Sequence, residues 1–133
     1  MKLIKNILGL LPLETVYAHC DLPCGVYDPA QAMIEAKSVY AIMTKYADLS
    51  AEDKTRAILI KEQRAELVKH HLWVLWTDYF KPEHAEKFPQ LHELFWRATK
   101  AAGQAKKSVD PADGKTLMSL IEEIDGIFKQ TRK

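Results

Sequence analysis

The sequence predicts an all-α protein, an antiparallel four-helix bundle joined by short loops. Three observations carry that expectation: four apolar stripes recur at helical spacing, no segment alternates with the two-residue period of a strand, and helix-starting residues stand ahead of the first two stripes. The 133 residues suffice for one domain with a real core but are short for two. Apolar residues make up 47%, charged residues 28%, and glycines number only five, a balance that fits a folded helical chain rather than a disordered or fibrous one.

The first helix is expected after Asp28-Pro29, where the carboxylate can accept from free amides and proline loses nothing by lacking an N–H. Met33, Ala36, Tyr40, Met43 and Ala47 supply its stripe. Ser50 with Asp53 three residues on reads as the next start, with Asp in place of the usual Glu or Gln. The second stripe runs through Ile58, Ala65, Val68, Leu72, Trp76 and Tyr79, and Pro82 breaks it. The third is Leu91, Leu94, Phe95, Ala98 and Ala102, with Pro89 near its beginning. Asp110, Pro111 and Asp113, within Ser108 to Gly114, form a turn signature. The last stripe, Leu117, Leu120, Ile121, Ile124, Ile127 and Phe128, is the cleanest.

Nineteen basic residues against eighteen acidic ones leave a net charge of +1. That balance gives no reason to expect a nucleic acid or an anionic membrane as partner. No apolar run approaches the roughly 18 to 20 residues needed to cross a bilayer. The sequence also lacks the metal motifs usual in bundles: no Glu has a His three residues later, and His92-Glu93 does not continue to H-E-x-x-H. His70 and His71 point about 100° apart on a helix, so one half-buried and one exposed histidine is the expectation rather than a shared ion. Trp73, Trp76 and Trp96 read as core or subunit-contact residues.

Residues 1–18, MKLIKNILGLLPLETVYA, follow a different grammar: Lys2 and Lys5, a short apolar stretch from Ile7 to Leu13, then Val16-Tyr17-Ala18. Basic, apolar and then small is the order of a removable leader. Pro12 and Glu14 interrupt it, so an export signal, a propeptide removed in the cytoplasm and a retained amphipathic helix all stay open. Removal is the reading adopted, with residues 19–133 as a single domain: a hook at 19–27 and the bundle at 28–133. The leader carries two lysines and one glutamate, so its loss takes the net charge from +1 to zero.

Cleavage after Ala18 would make His19 the amino terminus, ahead of the only two cysteines, Cys20 and Cys24. A free amine, the Cys20 amide nitrogen and the Cys20 thiolate then follow along the backbone and can close two five-membered chelate rings. Cys24, returned by Leu22-Pro23, offers a second thiolate, and the His19 imidazole can approach from the axial side. Square-planar binding with nitrogen donors suggests nickel or copper, and a tetrahedral pair of thiolates would suggest zinc. By spacing alone, a Cys20–Cys24 disulfide or two free thiols remain equally open.

The run His-Cys-Asp-Leu-Pro-Cys-Gly-Val-Tyr at a processed amino terminus resembles the hook of the nickel-containing superoxide dismutases. The likeness extends through D-P-A-Q-A, I-K-E-Q-R-A-E-L-V-K-H-H and W-T-D-Y-F-K-P, most of the chain after Ala18. The resemblance implies one nickel ion per subunit, a four-helix bundle assembled as a homohexamer, and conversion of superoxide to dioxygen and hydrogen peroxide by Ni(II)/Ni(III) cycling. It makes His19 a ligand through its amine and, when oxidised, its imidazole, Cys20 a ligand through nitrogen and sulfur, and Cys24 a ligand through sulfur. Glu35 and Arg64 correspond to residues that orient the imidazole, Tyr27 to the tyrosine screening the open face, and Tyr79 to its hydrogen-bonding companion. A processing peptidase and a cytoplasmic location go with this reading, export by the leader not being excluded. The competing readings are a non-catalytic nickel or copper carrier using the same chelate, and an exported helical interaction protein with a Cys20–Cys24 disulfide.

Overall fold

Side chains placed just ahead of the first, second and fourth apolar stripes decide where those helices begin, and no side-chain cap precedes the third. The computed structural model describes residues 24–132. The Asp28 carboxylate accepts from the Ala30 amide at 2.8 Å, and helix α1 runs from there, Ala30–Lys45. After a 3₁₀ turn, Tyr46–Asp48, the Ser50 hydroxyl accepts from the Asp53 amide at 3.1 Å and opens α2, Ala51–Val74. Here Asp53 does not reach back to the backbone; its carboxylate accepts from the Ser50 hydroxyl at 3.0 Å, so the two side chains lock each other.

Helix α2 ends in a π turn, Leu75–Tyr79, closed by the Phe80 amide donating to the carbonyl of Leu75, five residues back, at 2.9 Å. Pro82 marks a break as expected, and it also starts a short helix, α3, Pro82–Lys87. Helices α4, Leu91–Lys107, and α5, Pro111–Thr131, complete the described chain, and no strand occurs among the described residues.

The third and fourth stripes are buried at every position. The first fails at Ala47, which is exposed in the 3₁₀ turn, because the tighter turn takes that residue out of helical phase. The expected turn around Gly114 is shorter than its composition suggests. Asp110 accepts from the Ala112 amide at 2.9 Å, so α5 already begins at Pro111 and Asp113 and Gly114 are helical. Gly114 is needed for approach: a β-carbon there would lie 3.2 Å from the Tyr40 α-carbon and 3.1 Å from the Met43 sulfur.

Neighbouring helices are antiparallel. The start of α5 meets the end of α1 at Gly114, Gln104 near the end of α4 bonds Asp113 near the start of α5, and Lys61 in α2 meets the end of α4. One end of the bundle therefore collects the start of α1, the end of α2 and the end of α5. Among the described residues no helix is long and apolar enough to cross a membrane.

Among the described residues the core holds one charged side chain, Lys61, 1% exposed. Its ammonium donates to the carbonyls of Ala105 and, at 2.7 Å, Lys106, where α4 ends and its carbonyls have no helical partner. Burial pulls its pKa below the ordinary 10.5, partly opposed by neighbouring Glu62.

A candidate metal centre at one end of the bundle

The chain enters the bundle through Cys24, which is exposed, and Gly25, whose φ of +67° turns the backbone in a conformation that side-chain-bearing residues avoid. Tyr27 follows and packs its ring against Tyr79, centroids 5.7 Å apart. These three elements share a cleft of about 550 Å³, lined by Gly25, Tyr27, Tyr79, Lys81, His84 and Thr131 among others.

Tyr79 is the most constrained side chain there. The π turn delivers its ring between Phe128 at 4.6 Å, Phe80 at 5.0 Å and a stacked His84 at 5.9 Å. Its hydroxyl lies 2.8 Å from that of Thr131, at the end of α5. The ring of His84 is held in turn: its Nδ1 accepts from the Lys81 amide at 3.1 Å.

A second pair links α1 to α2. The Arg64 guanidinium donates to both oxygens of Glu35, at 3.2 and 3.4 Å, with the Glu35 side chain 15% exposed and that of Arg64 44%. Their 29-residue separation is bridged by the antiparallel packing of the two helices. Of the seven residues singled out from the sequence, the structure thus joins Tyr27 to Tyr79 and Glu35 to Arg64 and leaves Cys24 exposed beside the cleft. His19 and Cys20 lie outside the described residues, as does the boundary at residue 18.

Among the described residues no three His, Cys, Asp or Glu side chains come together as a metal site. His70 is exposed and His71 half-buried. The set expected from the sequence, two thiolates, an amine and an amide nitrogen, would be strongly donating and would suit nickel. Thr131 was not legible as a site residue: it lies far from the hook in sequence, and a threonine near a chain end carries no motif.

The comparisons with known proteins decide the family. The family described as nickel-containing superoxide dismutase matches residues 14–132, a span that takes in His19, Cys20 and Cys24. The chain belongs to that family. The nickel superoxide dismutase of Streptomyces coelicolor is 58% identical over 123 residues, 92% of this chain and 94% of its own, and that of Streptomyces seoulensis is 58% identical over 125. A native nickel superoxide dismutase structure superposes with a TM-score of 0.83 at 58% identity, covering 85% of this chain and 97% of the other, and an apo form with a TM-score of 0.79. Family membership agrees with the four-helix bundle expected from the stripes and with the resemblance seen in the hook.

Proposed function

We propose that the chain is a nickel superoxide dismutase that turns two superoxide ions and two protons into one dioxygen and one hydrogen peroxide. The observation that carries this reading is the position of Cys24. It stands next to Gly25, which lines the cleft shared by Tyr27 and Tyr79, in a member of this family.

Removal of residues 1–18 by a peptidase, in the cytoplasm, makes His19 the amino terminus. The His19 amine, the Cys20 amide nitrogen and thiolate, and the Cys24 thiolate would hold the metal, joined by the His19 imidazole in the oxidised state. Bound nickel supplies a one-electron couple between its divalent and trivalent states. The amidate and the two thiolates, all anionic, favour the higher charge and so bring that couple into a usable range. The Glu35 carboxylate, held by Arg64, orients the His19 imidazole. Tyr27, supported by Tyr79, screens the thiolates, which accessible peroxide would otherwise oxidise.

Assembly as a homohexamer belongs to the same reading. Its support here is the apolar surface on α1 and α2, where Ile34 is 62%, Leu67 37% and Trp73 45% exposed.

A direct test compares chains starting at His19 and at Met1. The processed chain is expected to carry about one nickel and to consume superoxide, and the unprocessed chain to do neither. Full activity with Met1 retained overturns the reading, and nickel bound without turnover points to a carrier.

A further inference from the structure

The Tyr79 hydroxyl and the Thr131 hydroxyl are 2.8 Å apart, and either oxygen alone could be the donor. A third contact removes the ambiguity. The Thr131 hydroxyl also lies 2.7 Å from the Phe128 carbonyl, which can only accept. A threonine has one hydroxyl proton, so that proton is spent on Phe128. The proton between the two hydroxyls must then be the phenol's. Tyr79 donates to Thr131, and its oxygen turns only lone pairs toward the cleft.

We propose that Thr131 is a positioning residue: it fixes the Tyr79 phenol as a hydrogen-bond acceptor at the cleft that Tyr27 shares. This rests on the dismutase reading for its functional meaning, but not for its geometry. Any hydroxyl or water that pairs with Tyr79 from the cleft side must supply the proton itself. Tyr79 is therefore not the group that hands a proton to departing peroxide, since the relay behind it ends on a carbonyl with no proton to replace the one lost. The surroundings hold this arrangement in place. Phe128 packs against the same ring at 4.6 Å, so the last turn of α5 grips Tyr79 by its face and by its hydroxyl together.

The test uses the nickel-loaded chain processed at His19. Thr131→Val keeps the shape and removes the acceptor, and Thr131→Ser restores it. Thr131→Val is expected to lower kcat/KM by about 2- to 10-fold, the range of one hydrogen bond, with nickel content unchanged. The serine variant should recover the loss, and in a Tyr79→Phe background Thr131→Val should add nothing, an outcome that a merely structural threonine would not give.

A second readout does not depend on turnover. In NMR spectra of the wild-type chain, a slowly exchanging Tyr79 hydroxyl proton should show contacts to Thr131 and vanish in Thr131→Val. A Tyr79 proton directed elsewhere, or an unchanged spectrum in the valine variant, overturns the proposal. If the wild type binds nickel without consuming superoxide, the dismutase reading fails while the proton's direction is still decided.

Discussion

Two helix ends in this molecule are received by side chains from α2 and the turn that follows it, and they are received differently. At the end of α4, the Lys61 ammonium bonds two carbonyls directly and is 1% exposed. At the end of α5, Tyr79 reaches the Phe128 carbonyl through the Thr131 hydroxyl and remains half-buried against an open cleft. The first joint satisfies a cation and two terminal carbonyls in one place, so it closes the fold and leaves the ammonium itself no open face. The second uses a neutral group and an intermediary, and leaves an oxygen addressable from outside. A joint of the first kind should matter to stability, and one of the second kind to chemistry.

The largest effect that would break this contrast is at Lys61. Lys61→Ala leaves a cavity and takes the partner from a buried carbonyl, Ala105, and a part-buried one, Lys106, and is expected to lower unfolding free energy by about 2–4 kcal/mol in urea melts. Nickel content at permissive temperature should not change.

A smaller effect on the opposite axis is expected from Glu35→Gln. Here metal affinity or activity should fall about 10- to 100-fold, because a neutral amide orients an imidazole less firmly. Stability should move by less than about 1 kcal/mol, since the Arg64 side chain is 44% exposed and water screens the pair. A melting loss equal to that of Lys61→Ala would erase the distinction between the two links.

The smallest effect is in the pH dependence. Burial holds the Lys61 pKa below 10.5 in the folded chain. Between that lowered value and 10.5 the unfolded chain binds more protons, so raising the pH through this window increases stability. Below the window both states are protonated and the cost of burial is present in full. The stability of the wild type relative to Lys61→Met should therefore improve as pH rises toward 10.5, and a difference that stays flat would mean that Lys61 is not desolvated.

The helices were legible because burial follows a period, and a period can be counted. Leu91, Leu94 and Phe95, or Ile121 and Ile124, fall where the spacing puts them. Lys61 was not legible: in K-E-Q-R it looks like any charged residue on a wet face, and only the approach of α4 shows that it is inside. The site divides the same way. Cys24 and Tyr27 stand in the hook motif itself, whereas Glu35 and Arg64 were selected by family resemblance, since an isolated acid and an isolated base 29 residues apart carry no local signal. Thr131 escaped because its role depends on a hydroxyl brought to it by another helix.

The π turn at Leu75–Tyr79 implies a one-residue tolerance of length as well as of identity. Thr77 and Asp78 are exposed within it and can be exchanged at little cost. Losing one residue would let an ordinary helical turn reform, and because about four α-helical residues sweep the same angle as the wider π turn, Tyr79 would stay on its present face toward Thr131 and Tyr27. In this five-residue segment the extra residue is therefore slack that the helix can lose, whereas a second deletion would turn Tyr79 off the cleft.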